Sequence, residues 1–159
     1  MQKVTTRTSV VDYLQRAVAN SYAMYLNYKK YHWNISGPLF RDVHLLFDDH
    51  AGHVLETVDE LGERVRMLGV ESIGSAEDVH KHATVEMASG GTNARKMIEQ
   101  AASNHKLMIS EFKLAIKAAD ANNDPGTADL FTKTIQIHEK QLWFLTQFLE
   151  RNDGLVSPA

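Results

Sequence analysis

Two pairs of side chains with metal-ligand chemistry occur close together in this sequence. His44 and Asp48 are four residues apart, and Asp59 and Glu63 repeat that spacing further along the chain. In a helix, residues four apart lie on the same face, one turn from each other. Imidazole nitrogen together with carboxylate oxygen is a ligand set that iron, manganese and zinc accept. The spacing therefore indicates a metal site along one face of a helix.

The stretch that carries both pairs is expected to be one long amphipathic helix. At about 100° per residue, the four side chains fall within a band of about 100°, separate from an apolar stripe that should face a protein core. That stripe consists of Val43, Phe47, Val54, Val58, Leu61 and Val65. Asp48 and Asp59 would lie about 16 Å apart along the helix, too far for bonds of about 2 Å to one ion. We therefore expect two half-sites, completed when two copies of the helix pack antiparallel about a twofold axis.

Two nearby residues fit this arrangement. Gly52 lies near the centre of the ligand face, where it would let two helices approach closely. His32 stands near the end of the preceding helix and can fold across the Gly37-Pro38 turn to join His44. The alternative is a solvated polar face with ordinary surface carboxylates, and the residues alone leave that alternative open.

Helical periodicity fills the chain between sparse glycine and proline residues, and no strand-like alternation is found. The predicted elements are a helix from about Ser9 to Trp33, a second from about Pro38 to Leu68, a short one from Ser75 to His82, a third long helix capped by Thr92 or Asn93, and a fourth that follows the Asp124-Pro125 boundary and ends before Gly154. Four long helices with one short extra helix between the second and third predict an all-α four-helix bundle.

Composition narrows the class of protein. The chain has 159 residues, 43% hydrophobic residues and no cysteine, which excludes disulfides and thiolate metal sites. No apolar run approaches the roughly 20 residues that span a bilayer, and the first residues show no signal-peptide pattern. We expect one domain over residues 9–152 between short tails, 1–8 and 153–159, in a cytoplasmic protein without a membrane partner.

The chain resembles the Dps family, the mini-ferritins named as DNA-binding proteins from starved cells. The resemblance covers nearly the whole chain, and its motifs are His32-Trp33-Asn34, Gly37-Pro38, His44, Asp48, Asp59-Glu60-Leu61-Gly62-Glu63-Arg64 and the segment from His138 to Leu145. It implies a ferritin-like bundle that assembles from twofold dimers into a homo-dodecamer, with association with the nucleoid as an alternative location.

The resemblance also implies an activity. A ferroxidase centre at each twofold interface would take His32, His44 and Asp48 from one subunit, and Asp59 and Glu63 from its mate. These five would be the catalytic and metal-binding residues. The centre would oxidise Fe(II) with hydrogen peroxide or oxygen, and the shell would store the ferric mineral, protecting against oxidative damage. Zinc is a competing ion because it accepts the same ligands.

Three aspartates are candidates for an iron-uptake pore. Asp120, Asp124 and Asp129 flank the junction between the third and fourth long helices, where the family lines its threefold pores with aspartates. A ring of carboxylates would attract cations. Asp124 has an alternative role as a helix cap, and the other two can be ordinary surface carboxylates.

The remaining candidates carry weaker signals. Trp33 is expected to be a core aromatic residue, or else a sink for stray oxidising equivalents. The other histidines are expected to lie at the surface, with an accessory metal site as the alternative for His80 and His82. The surface set comprises His50, His53, His80, His82, His105 and His138.

DNA binding is expected to be weak or absent. The tails offer only Lys3, Arg7 and Arg151, the last offset by Asp153, and the formal charge is −3. Twelve copies would carry roughly −36, which repels phosphate. The alternative function is a nucleoid-protecting DNA-binding shell in which metal oxidation is secondary. A third reading is a helical bundle whose twofold site holds zinc structurally.

Overall fold

The computed structural model describes residues 9–90 and 93–150, and five helices dominate them. They are α1 Val10–Asn34, α2 Phe40–Met67, α3 Ala76–His82, α4 Ala94–Ala121 and α5 Pro125–Leu149. α1 pairs with α2 and α4 with α5, the two pairs meet through α1–α4 and α2–α5 contacts, and α3 packs on α1. The predicted four-helix bundle with a short helix in its long crossover is confirmed. The predicted tails, 1–8 and 153–159, and the alternative cap Thr92 lie outside the described residues.

Local capping chemistry sets most helix starts. Ser9 accepts from the Asp12 amide while the Asp12 carboxylate accepts from the Ser9 amide, so that a capping box begins α1. Ser75 begins α3 in the same way, and Asn93 caps α4. Asp124 caps α5 ahead of a proline in its first turn. These boundaries agree with the predicted ones within one or two residues.

The connection between α1 and α2 is a tight turn that brings the ligand helices together. Gly37 adopts φ +112°, a conformation that side chains rarely tolerate. The Phe40 amide donates to the Gly37 carbonyl at 3.0 Å, and α2 begins there, two residues after Pro38. The predicted apolar stripe of α2 is buried in the core. The opposite face of α2, which carries the acidic residues, is therefore turned away from the bundle interior.

Buried asparagines hold the long crossover against the bundle. Asn20 accepts from the Thr84 and Val85 amides. Asn27 accepts from the Ala88 amide and donates to the Glu86 carbonyl. These side chains satisfy backbone groups that no helix or sheet pairs. The crossover is therefore fixed in place although it contains little secondary structure.

The structure overturns two expectations about side-chain burial. His50, His105 and His138 are buried in the bundle, with exposed fractions of 2% or less, so their expected surface location is wrong. Neutral imidazole can be buried when its nitrogens find partners, and each of these rings has at least one nitrogen in contact with a polar atom of another helix. Trp33 is 71% exposed, so it is not a core residue of its own bundle.

No helix in the described part of the chain is long and apolar enough to cross a membrane.

Candidate metal centre

His32 and His44 form a reciprocal clasp between the end of α1 and the start of α2. Their rings stack with centroids 3.7 Å apart and 18° between the planes. The Nδ1 of each ring lies 2.8 Å from the backbone carbonyl oxygen of the other residue. A carbonyl only accepts, so each neutral ring carries its proton on Nδ1 and keeps a lone pair on Nε2. Both Nε2 atoms are thereby available to a metal ion, and the main chain sets their orientation.

Asp48 follows His44 by one helical turn, but its carboxylate is engaged by a cation. The Lys29 ammonium lies 2.6 Å from the carboxylate and, as the main cause, holds the pKa of Asp48 below its ordinary value of 3.8. Asp48 is therefore ionised at neutral pH and is chemically suited to a metal ion. The exposed ion pair with Lys29 is weak, so a bound cation can displace it.

Asp59 and Glu63 occupy the second half of the same helix. Both side chains are exposed, and they border a surface cavity of about 290 Å³ that Tyr22, Arg66 and Ile73 also line. Over residues 9–90 and 93–150, neither carboxylate makes a hydrogen bond or an ion pair. Two uncommitted carboxylates one turn apart are available for a cation from outside the chain.

The structure does not bring the five predicted ligands together within one chain. In the described portion, no group of three or more histidine and acidic side chains is arranged to hold an ion by itself. Two physical reasons account for this. Lys29 pairs with the Asp48 carboxylate, and the helical rise of α2 keeps Asp48 and Asp59 about 16 Å apart along the helix.

The face of α2 that carries the candidate ligands also carries uncovered apolar groups. Leu45 is 49% exposed and Leu55 is 40% exposed, and both fall within the roughly 100° band of the ligands on the helical wheel. A Cβ added at Gly52, on the same face, would meet no atom of the described residues within 4 Å. Leucines and a bare helix backbone beside acidic side chains are typical of a surface that another protein covers.

The three candidate pore aspartates have different environments. Asp120 and Asp129 are exposed. Asp124 accepts from the Thr127 amide and hydroxyl, at 3.0 and 2.6 Å, and pairs with Arg64 of α2 at 2.6 Å. Burial opposes ionisation of Asp124, but these donors outweigh it and leave its pKa below 3.8. The capping role of Asp124 therefore has direct contacts, and a pore role for the three stays a prediction.

Sequence reasoning missed a buried polar chain in the centre of the bundle. The Tyr28 hydroxyl contacts His105 Nε2 and lies 3.3 Å from His50 Nδ1, while His105 Nδ1 lies 2.9 Å from His138 Nδ1. Burial lowers the pKa of His50 to about 4 and that of His138 to about 3. Burial, with the neighbouring histidines, also places the pKa of His105 well below 6.5. All three rings are therefore neutral at pH 7.

Helical spacing carried the signal that was missed. His105 shares a stripe with the buried apolar residues of α4, and His138 follows Ile135 by three residues in α5. His50 falls at about 240° when His44 is set to zero, beside the apolar stripe of α2. The positions were those of core residues, and only the polar residue type argued for the surface.

Comparison with known proteins gives the class first. A model of the ferritin-like domain family matches residues 11–154, so the chain is a ferritin-like protein. It belongs, within that class, to the Dps family. The solved Dps of Thermosynechococcus elongatus is 47% identical, with a TM-score of 0.91 over 93% of this chain and 94% of that one. The DNA protection during starvation protein of Brevibacillus brevis is 30% identical over 93% of this chain and 99% of its own length.

A third similar protein is described by its superfamily. The solved DPS protein of Vibrio cholerae is 25% identical, with a TM-score of 0.84 over 89% of both chains. It is described as a member of a broad superfamily of ferritin-like diiron-carboxylate proteins.

Proposed function

We propose that this protein is a ferroxidase mini-ferritin, with His32, His44 and Asp48 of one subunit and Asp59 and Glu63 of its twofold mate as the site. The observation that carries the proposal is the reciprocal clasp of His32 and His44. Two rings locked by opposite main-chain carbonyls both keep a free Nε2, which a merely structural pair of histidines has no need to do. Carboxylates one turn away supply the harder oxygen ligands that suit Fe(III).

A second copy of the chain is the partner that the ligand face fits best. Antiparallel packing of two α2 helices would place His44 and Asp48 of one copy beside Asp59 and Glu63 of the other, and would form two equivalent sites. The same packing would cover the exposed Leu45 and Leu55, with Gly52 allowing a close approach. Assembly and completion of the metal site are then one event.

The proposed reaction is the pairwise oxidation of Fe(II), which is the substrate. Two ferrous ions held between the half-sites each give one electron to hydrogen peroxide, whose O–O bond breaks to leave two hydroxide ions. Transfer of both electrons to one peroxide avoids hydroxyl radical. Within the protein, the Nδ1–H groups of His32 and His44 stay on carbonyls, so the rings keep their orientation as the metal charge rises. Lys29 releases Asp48 when a cation binds. Oxygen is the alternative oxidant.

A closed protein shell would provide a cavity in which the oxidised iron is stored. We propose that twofold dimers assemble into a homo-dodecamer whose cavity stores ferric mineral, in the cytoplasm. Asp120, Asp124 and Asp129 remain candidates for the pores that admit Fe(II). Zinc would compete for the centre because it accepts the same imidazole and carboxylate ligands.

Stopped-flow absorbance after addition of Fe(II), with either peroxide or oxygen, tests the proposal. We expect Asp59→Ala with Glu63→Ala to abolish the peroxide-driven fast phase without changing the helical content. Glu60→Ala with Glu56→Ala is a matched control because those carboxylates lie in the same helix outside the ligand set. An unchanged rate in the first variant would show that the assigned centre is wrong.

The alternative function is a DNA-protecting shell, which the name of the Brevibacillus brevis relative suggests. The formal charge of −3 per chain argues against strong attraction to phosphate. The ferroxidase proposal therefore takes precedence.

A further inference from the structure

A buried chain of hydrogen bonds crosses the bundle and has no part in the proposed ligand set. Each long helix contributes one residue: Tyr28 from α1, His50 from α2, His105 from α4 and His138 from α5. All four side chains are fully buried, with exposed fractions of 2% or less. Four polar side chains in a packed core are costly unless they satisfy one another, so their arrangement calls for a reason.

The phenol of Tyr28 has two imidazole neighbours, of which His105 is the closer. The Tyr28 hydroxyl contacts His105 Nε2, whereas His50 Nδ1 lies 3.3 Å away. If Tyr28 donates to His105 Nε2, then neutral His105 carries its proton on Nδ1 and donates to His138 Nδ1, 2.9 Å away. His138 in turn carries its proton on Nε2, and His50 donates to the Tyr28 oxygen.

The chain of hydrogen bonds ends on α5 at two polar atoms. Within the described residues, His138 Nε2 and Gln141 Oε1 are buried without a hydrogen-bond partner, and they are three residues apart on α5. In the direction given above, the atom left at the end of the chain is the donor His138 Nε2–H. A buried water molecule can accept from such a donor and donate to an amide oxygen one turn away.

Tyr28 also lies close to the histidine half-site. It precedes His32 by four residues in α1, so the two side chains are one turn, about 6 Å, apart along the helix. Its ring packs against Phe47, with centroids 5.8 Å apart, and Phe47 lies one turn after His44 in α2. Tyr28 is therefore close enough to the half-site to give an electron to an oxidising species that forms there.

We propose that Tyr28 is a redox-active residue that reduces one-electron oxidants formed at the ferroxidase site, with His105 and His138 as the acceptors of its phenolic proton. The inference rests on the proposed ferroxidase function and deepens it. The pairwise reaction avoids hydroxyl radical only when two ferrous ions are present. A half-filled site has one Fe(II), which reacts with peroxide to give Fe(III), hydroxide and hydroxyl radical.

The proposed step balances in atoms and electrons. One electron passes from Tyr28 to the hydroxyl radical, which becomes hydroxide. The O–H bond of Tyr28 breaks, its proton binds His105 Nε2, and the Nδ1 proton of His105 moves to His138 Nδ1. The products are a neutral tyrosyl radical and a protonated His138. A further Fe(II) can return the electron while the proton returns along the same path.

Burial makes the proton movement coupled and reversible. It raises the pKa of Tyr28 well above 10, so the phenol does not lose its proton to the histidines while it is reduced. An oxidised phenol is a much stronger acid and releases the proton at once. Burial also lowers the pKa of His138 to about 3, so the imidazolium gives the proton back when Tyr28 is reduced.

Electron paramagnetic resonance on the assembled protein tests the proposal. The sample is loaded with less than one Fe(II) per site, mixed with hydrogen peroxide and frozen. We expect a tyrosyl radical whose spectrum narrows when the tyrosines are ring-deuterated. The signal is expected to be lost in Tyr28→Phe and retained in Tyr25→Phe, a half-buried tyrosine of the same helix. Size-exclusion chromatography checks that both variants assemble.

A second measurement uses the unmodified protein and does not depend on how the variants fold. Among the described residues, Tyr28 is the only tyrosine whose hydroxyl contacts a histidine. With ¹⁵N-labelled histidine in D₂O, the radical should therefore show coupling to ¹⁵N and to the exchangeable deuterons on His105 Nε2 and His50 Nδ1 by electron–nuclear double resonance. If stopped-flow iron oxidation is normal, absence of both couplings, or a radical that persists in Tyr28→Phe, overturns the inference. Loss of that oxidation in the unmodified protein instead rejects the proposed function.

Discussion

A division of the metal site between two chains can be tested by pairing two defective variants. His44→Ala removes a ligand from the histidine half-site, and Glu63→Gln removes one from the carboxylate half-site. If each site combines the histidines of one chain with the carboxylates of the other, a dimer of either variant alone contains no complete site. Co-expression in equal amounts should nevertheless restore activity, because a mixed dimer contains one undamaged histidine half facing one undamaged carboxylate half.

The size of the restoration follows from the symmetry. Random pairing makes about half of the dimers mixed, and one of the two sites in each mixed dimer is complete, so about one quarter of the wild-type sites should be restored. The value does not depend on the affinity of the site, because the undamaged site has all five wild-type ligands. It depends only on how the ligands are divided between the chains.

The measurement is the amplitude of the fast phase of Fe(II) oxidation with peroxide, per chain, for the co-expressed protein and for each variant alone. Distinct affinity tags on the two variants allow mixed assemblies to be isolated and their composition to be measured. A matched control combines His44→Ala with Asp48→Asn. Both changes damage the same half-site, so a mixed dimer contains no complete site. Activity in this control, or none in the first pair, would refute the division of ligands between two chains.

Three further predictions follow from other contacts. The pKa of His138, about 3 in the folded protein against about 6.5 unfolded, makes folding less favourable as the pH falls below 6.5, by about 2 kcal/mol at pH 5. Urea unfolding at pH 7 and pH 5 should show this loss of stability. The loss should be smaller in His138→Phe and unchanged in His53→Gln, which replaces an exposed histidine. Equal unfolding midpoints at the two pH values would contradict the prediction. Asp124→Ala should lower the free energy of unfolding by about 1–2 kcal/mol, because the helix cap and the ion pair are lost. Asp129→Ala should change it by close to zero. Equal unfolding midpoints for the two variants would exclude the capping role. A gel shift at neutral pH should show no retarded DNA at submicromolar protein, and retardation would favour the DNA-protecting alternative.

The local features of the fold were predictable from short stretches of sequence. A serine with an aspartate three residues later begins α1 and α3, because both hydrogen bonds of the capping box form within one turn. The ligand face of α2 follows from helical periodicity alone, and so does the distance that separates its two ligand pairs. Such features depend on spacing within one helix, which the sequence displays directly.

The side-chain partners of the candidate site were not predictable in the same way. The reciprocal bonds of His32 and His44 depend on the turn at Gly37, which brings two main-chain carbonyls to the two rings. The pairing of Lys29 with Asp48 depends on the relative rotation of two packed helices. A periodic pattern predicts neither contact, because both depend on how whole helices pack against each other.

The buried histidines were missed because residue type was given more weight than position. Each of the three lies at a core position of its helix, yet the cost of burying one imidazole alone argues for the surface. What makes burial favourable is that the partners come from other helices. The hydrogen bond between His105 and His138 joins positions 33 residues apart, and single-helix reasoning does not evaluate such a pair.

The clasp of His32 and His44 would also change the free energy of metal binding at the proposed centre. Immobilising a flexible side chain on binding costs about 0.5–1.5 kcal/mol. The main-chain carbonyls already immobilise both rings when the chain folds, so two such costs, about 1–3 kcal/mol together, are absent when a metal ion arrives. By the relation between free energy and Kd, that is roughly a fivefold to 150-fold gain in affinity. In the proposed centre, folding would therefore prepare the histidine half-site before an ion arrives.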